Sequence, residues 1–401
     1  MIITENSSKI NQYEGKLTKK LPVFYNPLMK LNRDVSILLL NSIPDKNIQM
    51  ALPLSGSGIR GIRFLKELKK SKIKTIEFND IKTTDNIKDN LKLNEFDKDK
   101  RIFLHNKDAN LFMLESKGFD YIDIDPFGSP NPFLESSIIR LSRNGILAVT
   151  ATDTAALCGS SPTACKRKYW AKPLRNHFMH ETGLRILSRK IQLIGAQYEK
   201  ALTPIFSMSK DHYFRVFFRC EKGRRKVDLL LKNHKYLLYC KKCLRRKISF
   251  YNTSKCECGQ DYEFIGPLWI EKLWNYELLV KMINNCDTND RELYDFLRII
   301  KEESEIFEIS KDVYKNLMVE HYDDKDELVL IAKEDTIQRA VTYFEINDIA
   351  SILKLKHVPK REILMKKIIK KGYMVGKTHF RKNSIRTNIP YEKLIKTFNE
   401  K

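Results

Sequence analysis

The sequence predicts an α/β protein. A doubly wound, mostly parallel sheet comes first, then a small cysteine ribbon, then a basic α+β end. Three observations predict it. From about residue 46, short apolar runs alternate with amphipathic stretches. A glycine-rich turn, Gly56-Ser57-Gly58-Ile59-Arg60-Gly61, joins the first run to the first amphipathic stretch. Two close pairs of cysteines follow beyond residue 239.

The elements read in order as follows. NIQMALPL (47–54) is a strand and IRFLKELKK (62–70) a helix. KTIEFND (74–80) is a second strand, followed by a helix with Ile87, Leu91 and Leu93 on its apolar side. RIFLHN (101–106), FDYIDID (119–125) and GILAVTATD (145–153) are further strands. QLIGAQYEKAL (192–202) and HYFRVFFRC (212–220) read as a closing strand pair, so the first domain spans residues 1–222. A basic segment with the cysteines occupies 223–265. Residues 266–401 form a third, mainly helical unit whose end reads as a winged helix. INDIASILKL is followed there by KREILMKKIIKK, with Ile363, Leu364, Ile368 and Ile369 facing the domain. Gly372 then stops the helix and YMVGKTHF supplies a wing strand.

Composition narrows the function classes. At 401 residues the chain exceeds one ordinary domain. Its 73 Lys and Arg against 50 Asp and Glu give a net charge of +23, which favours a polyanionic partner. Arg219 to Lys247 holds twelve basic and two acidic residues, interleaved with Tyr236 and Tyr239. Lys354 to Arg386 holds twelve basic residues and one Glu, with Tyr373, His379 and Phe380 among them. Both tracts read as RNA-binding surfaces. No run approaches the ~18 apolar residues of a membrane span, and the start has no apolar signal core. A cytoplasmic protein with reduced thiols is therefore expected, free of membrane and acting as a monomer.

The glycine turn matches G-x-G-x-x-G, with Gly56 and Gly58 permitting close approach of a ligand. Asp80, at the end of the second strand, can accept from ribose hydroxyls. These features alone fit NAD or S-adenosyl-L-methionine (AdoMet) equally. Asp108-Ala109 after the third strand can read an adenine edge. The fourth strand ends in Asp123-Ile124-Asp125-Pro126-Phe127-Gly128. A dehydrogenase has no use for Asp-Pro-Phe there; an enzyme that methylates an exocyclic amine does. Such an amine is a poor nucleophile because its lone pair is delocalised into the ring. Asp125 and the Pro126 carbonyl can both accept from the NH2 and hold the nitrogen in line with the methyl group. Phe127 offers a face on which an extruded base can stack. Asp123 shares a strand face with Asp125 and reads as a structural partner of an arginine rather than as an accessory acid.

Cys240-x2-Cys243, twelve residues, then Cys256-x-Cys258 reads as a four-thiolate Zn2+ site, structural because no coordination position stays open. Cys158, Cys165, Cys220 and Cys286 read as buried apolar residues.

These residues, taken with Val23-Phe24-Tyr25-Asn26-Pro27, Asn32-Arg33-Asp34, Thr150-Ala151-Thr152-Asp153, His180-Glu181-Thr182-Gly183-Leu184-Arg185, Asp211-His212-Tyr213 and Gly266-Pro267-Leu268-Trp269, resemble the tRNA (guanine-26 N2) dimethyltransferase family of archaea and eukaryotes. The resemblance covers nearly the whole chain. It implies a Rossmann-like class I AdoMet methyltransferase domain acting on the N2 amine of tRNA guanine-26, with the C-terminal units gripping tRNA. It also implies AdoMet contacts at Arg33, Arg63, Asp80, Asp108 and Ala109, the arginines pairing with the methionine carboxylate. Two positions depart from the pattern. Leu52 stands where an acid near the end of the first strand meets the methionine ammonium, and Trp170 stands where a Gly is expected. The rival readings are an exocyclic-amine methyltransferase on another RNA guanine or a DNA adenine, and a non-enzymatic zinc-ribbon nucleic-acid binder.

Overall fold

The computed structural model describes residues 26–82, 84–306 and 341–400, with the backbone of two strands at 318–322 and 328–332. Val23, Phe24 and Tyr25 of the N-terminal motif lie outside the described residues. A 3-10 turn at Pro27–Met29 leads into α1 (Lys30–Ser42). The sheet domain then alternates β1 (Ile48–Leu52), α2 (Ile59–Glu67), β2 (Ile73–Asn79), α3 (Asp85–Leu93), β3 (Ile102–His105), α4 (Ala109–Glu115), β4 (Phe119–Ile124), α5 (Asn131–Arg140) and β5 (Leu141–Ala151). Two short helices, α6 (Thr154–Leu157) and α7 (Pro162–Tyr169), and the long α8 (Met179–Ala196) precede β6 (Lys200–Lys210) and β7 (Tyr213–Lys222). The seven strands run β3-β2-β1-β4-β5-β7-β6, parallel except that β7 is antiparallel to both β5 and β6. β1 and β4 are neighbours although β2 and β3 separate them in sequence. This reversal of strand order opens a crevice at their carboxyl ends, where ligands of open α/β sheets bind.

The expected strand over 192–202 is corrected at its start. Gln192 to Ala196 end α8, and the strand begins only at Lys200. The 18-residue helix buries Leu184, Leu187 and Ile191 at helical spacing, and that packing overrides the apolar run at its end. Leu93, read on the apolar side of its helix, is exposed, because Ile87 and Leu91 form the buried stripe of α3.

Past Lys222, α9 (Arg224–Leu231) leads into a three-stranded sheet of β8 (His234–Tyr239), β9 (Arg246–Ser249) and β10 (Glu263–Trp269). α10 (Tyr276–Asn285) and α11 (Arg291–Glu305) follow, and α10 packs on α1. β11 (Met318–Tyr322) pairs with β12 (Leu328–Ala332). The end comprises β13 (Phe344–Glu345), α12 (Ile346–Ile352), α13 (Arg361–Lys370), β14 (Val375–Lys377), β15 (Ser384–Thr387) and α14 (Tyr391–Asn399). The helix pair and the β14–β15 hairpin have the winged-helix arrangement, and Gly372 closes α13 at φ 80°. One expectation for α13 fails. Leu364 and Ile368 are buried, whereas Ile363 and Ile369 are exposed, since they lie off the i, i+4 stripe that meets the domain.

A buried charge cluster joins this end to the sheet domain. Glu181 of α8 accepts from Arg185 Nε (2.9 Å) and from Arg386 Nη2 of β15 (2.6 Å), all three side chains being fully buried. Burial works against the Glu181 charge, but Arg386 and Arg185 outweigh it and bring its carboxyl down to about 2. His379 of the wing pairs through Nδ1 with Glu303 of α11 and takes the backbone N–H of Ser209 on Nε2 (3.2 Å). Among the described residues, no helix is long and apolar enough to cross a membrane.

Candidate active site

A cavity of about 550 Å³ opens at the carboxyl ends of β1, β2 and β4. The turn after β1 forms one wall. Gly58 caps α2 at φ 77°, and a Cβ there would meet Ile87 at 3.1 Å. Gly61, one turn on, lies so close to Phe78 that a Cβ would sit 2.2 Å from its ring, so only glycine lets α2 pack on β2. The Gly56 backbone N–H donates to Asp80 Oδ2 (2.9 Å), and the Lys82 N–H donates to Oδ1 (3.0 Å). An ionised carboxylate offers about four acceptor sites, so two amides leave Asp80 capacity for further donors on the cavity side.

The opposite wall is the Asp125-Pro126-Phe127 turn. It is pinned to the end of β5, where the Gly128 N–H donates to Thr152 Oγ1 (2.7 Å) and the Thr152 N–H donates to the Gly128 carbonyl (2.9 Å). Phe127 is exposed on the cavity lining. Asp125 accepts from Arg60 Nη2 at 2.5 Å and keeps a quarter of its side chain accessible. Arg60 is held in turn by Ser36 Oγ (3.0 Å) and Asn32 Oδ1 (2.9 Å), both on α1. Asp123 lies deeper. Arg215 of β7 donates to both its oxygens (2.9 and 2.7 Å), and the Tyr121 hydroxyl donates to Oδ2 (2.6 Å). Burial disfavours the Asp123 charge, yet Arg215 and Arg60 together hold its carboxyl below the usual carboxylate range. Asp123 is thus saturated by fixed partners, whereas Asp125, at the end of the same strand, keeps accessible surface on the cavity.

Arg33, Gly56, Asp80, Asp125, Pro126 and Phe127 all line this cavity. Gly58, Arg63, Asp108 and Ala109 lie outside its lining. The Arg63 guanidinium bonds Asp34 (2.6 Å) and Glu67 (2.6 and 2.7 Å). Asp108 caps α4 through the N–H groups of Asn110 and Leu111. Leu52 is buried against the cavity floor; the lining's acids are Asp80, Asp123, Asp125 and Asp211. The β6–β7 turn adds Asp211, His212 and Tyr213 as a rim. Three functional neighbours escaped sequence reasoning: Arg60, Arg215 and Asn32. Arg215 carried a signal, a cation in the middle of the apolar run YFRVFF.

Cys240, Cys243, Cys256 and Cys258 converge at one end of the β8–β9–β10 sheet. Their four sulfurs lie within 4.8 Å of one another, with 3.5 Å between Cys240 and Cys258 and 3.4 Å between Cys243 and Cys256. None is in a disulfide. Thiolates at about 2.3 Å from Zn2+ in a tetrahedron sit about 3.8 Å apart, so this donor set fits one such ion. The four remaining cysteines are buried, and burial alone pushes the Cys158 thiol up to about 12.

A family model described as N2,N2-dimethylguanosine tRNA methyltransferase matches residues 4–320 and 305–399. The chain is 37% identical to a tRNA (guanine(26)-N(2)/guanine(27)-N(2))-dimethyltransferase of Aquifex aeolicus, over 100% of this chain and 96% of that one. It is also 37% identical to a tRNA (guanine(26)-N(2))-dimethyltransferase of Methanobrevibacter smithii, over 98% and 95% of the two chains. The solved complex of Trm1 from Pyrococcus horikoshii with S-adenosyl-L-methionine superposes with a TM-score of 0.76 at 30% identity, covering 95% of each chain. With a family model matched over most of its length and relatives aligned along nearly all of it, the chain belongs to the N2,N2-dimethylguanosine tRNA methyltransferase family.

Proposed function

We propose that this chain uses AdoMet to methylate the exocyclic N2 of guanine-26 in tRNA, giving N2-methyl- and then N2,N2-dimethylguanosine. The observation that carries the reading is the Asp125-Pro126-Phe127 turn. It places one accessible carboxylate, held by Arg60, beside an exposed aromatic on a cavity large enough for a cofactor.

AdoMet supplies the methyl group. The chain's part is to bind, orient and take a proton. Asp80 accepts from the ribose hydroxyls, its position already fixed by the Gly56 amide. Arg33 meets the methionine carboxylate from the lining. Arg63, engaged with Asp34 and Glu67 just outside the lining, would join it by exchanging one of those contacts for the carboxylate. Asp108 and Ala109, at the head of α4, bound the adenine. Phe127 stacks on the extruded guanine. Asp125 and the Pro126 carbonyl accept from its NH2, which aims the nitrogen lone pair at the methyl carbon. Bound AdoMet would supply its methyl group to that nitrogen and leave as the thioether, and Asp125 would take the amine proton. Arg60 orients that carboxylate and is a positioning residue.

The four cysteines hold Zn2+ as a structural ion, and the basic tracts of the ribbon and the winged-helix end meet tRNA phosphates. The domain limit at 222 coincides with the end of β7, whereas the limit at 265 falls inside β10, which pairs with β8 as far as Trp269; the three units are proposed as folding units with the second extended to Trp269. Nucleoside mass spectrometry of an unmodified tRNA transcript incubated with enzyme and AdoMet tests the function. N2-methylated guanosine that disappears when guanine-26 is replaced by adenine is the expected result. Methylation that persists in that transcript would move the target elsewhere.

A further inference from the structure

Trp170 closes α7 in the left-handed conformation, φ 54° and ψ 38°. Glycine takes that conformation without strain, and an aromatic residue does not. The ring is 47% exposed. The chain's two other tryptophans are buried at 4% and 2%, with their indole N–H groups on the carbonyls of Lys272 and Ser207. The Trp170 ring rests on a cation. Lys190 of α8, itself buried, brings Nζ to 2.9 Å from the ring centroid. With that face covered, the accessible area is the opposite face and the ring edge.

The surroundings say what suits this surface. Lys166, Arg167, Lys168 and Lys172 are all exposed, and Pro162 to Lys172 contains no carboxylate. Lysines in the last turn of α7 also complement its dipole, but a dipole gives no reason for a strained, exposed indole between them. The platform is rigidly tied to the catalytic turn. The Tyr169 hydroxyl lies 2.9 Å from Ser129 Oγ and donates to Asp153 Oδ1 (2.6 Å), and Asn131 Nδ2 donates to the Lys168 carbonyl (2.8 Å). On its other side it is tied to the ribbon. Lys172 bridges Gly266 through the backbone and lies over the Phe264 ring at 4.1 Å. A flat π face ringed by cations, between the catalytic turn and a basic sheet, has the chemistry of a nucleobase platform with phosphate-binding groups beside it.

We propose that Trp170 stacks on a nucleobase of the RNA substrate outside the catalytic cavity, while Lys166, Arg167, Lys168 and Lys172 meet the flanking phosphates. The proposal rests on the reading of the chain as a tRNA methyltransferase.

Tryptophan emission tests it in the full-length enzyme, because Trp170 is the one exposed tryptophan of the three. Binding of an unmodified tRNA transcript quenches the wild-type emission and shields it from acrylamide. W170F loses that response and keeps affinity within about twofold, because a ring remains to stack. W170G weakens tRNA affinity roughly tenfold, equivalent to about 1.4 kcal/mol. Its melting temperature does not fall, since glycine suits the left-handed position, and its AdoMet dissociation constant stays at the wild-type value. Unchanged emission on a transcript that gel shift shows to be bound would overturn the platform and leave the methyltransferase reading intact. W170G that binds tRNA like wild type would do the same. Failure of the wild-type enzyme to bind tRNA would overturn both.

Discussion

Removing the Asp125 carboxylate separates catalysis from folding. In Asp125→Ala, Arg60 loses its 2.5 Å partner but keeps Asn32, Ser36 and, at 3.6 Å, Asp123. Breaking a fully buried pair costs about 3–5 kcal/mol. Here the side chain is a quarter exposed and the arginine is otherwise satisfied, so a stability loss of about 1–2 kcal/mol is expected. The catalytic loss is larger. Aiming the amine and taking its proton contributes roughly 10²–10⁴-fold, and Asp125 is the acid on the lining that stands beside Phe127. Asp125→Asn keeps an acceptor without the charge and falls between alanine and wild type. Single-turnover methyl transfer with enzyme in excess isolates this step, and calorimetry follows AdoMet binding, which should change by less than about threefold. A wild-type single-turnover rate in Asp125→Ala at saturating tRNA would refute the assignment.

Asp80→Ala should weaken AdoMet binding by roughly 1–3 kcal/mol, because the ribose hydroxyls lose their acceptor; an unchanged dissociation constant removes Asp80 as the ribose ligand. Purified protein should carry one zinc ion per chain by elemental analysis. Cys243→Ser should lose it and unfold the ribbon while sparing AdoMet binding; metal-free wild-type protein would refute the site. Replacing Lys366, Lys367, Lys370 and Lys371 with Gln should weaken all tRNAs about equally and flatten the salt dependence, by up to about 0.9 in slope for each phosphate that is no longer neutralised. Lys371 is the least productive of these because Glu400 already pairs with it, and an unchanged slope would shift the phosphate footprint to the ribbon. The domain junction should weaken in acid. The folded value for Glu181, about 2, lies below its ordinary 4.5, so its stabilisation is complete above pH 4.5 and is lost as pH falls toward 2. Glu181→Gln should remove that dependence and destabilise the fold at neutral pH by roughly 3–5 kcal/mol, readable by calorimetric melting.

The sheet was legible because its strands are short apolar runs bounded by turn residues, and Gly56, Gly58 and Asp80 mark the carboxyl ends of β1 and β2. Asp125 and Phe127 stood out because their chemistry matched a task that the strand end makes possible. The four cysteines were legible from spacing alone. The partners of these residues were not. Arg215 reaches Asp123 across 92 positions, and Arg386 reaches Glu181 across 205, distances over which local pattern carries no information. Arg63 had a cofactor role by resemblance, but the structure shows it engaged with Asp34 and Glu67, which sequence spacing alone does not rank against a ligand. The end of α8 misled because Gln192 to Ala196 is apolar enough for either a strand or a buried helix, and only the length of the packed helix decides. Ile363 and Ile369 misled because a short helix buries one stripe, and apolar residues beside that stripe remain outside.

In the proposed reaction the acceptor atom is the exocyclic N2 of guanine-26, presented to Asp125. A tRNA transcript with inosine at position 26 differs from the guanine transcript there by the loss of that amine alone. Single-turnover methyl transfer on the two transcripts, at matched occupancy, tests the claim most directly. Full transfer to guanine-26 and none to inosine-26 is the expected result, with both transcripts bound to within a fewfold. Equal methyl incorporation into the inosine transcript would contradict it.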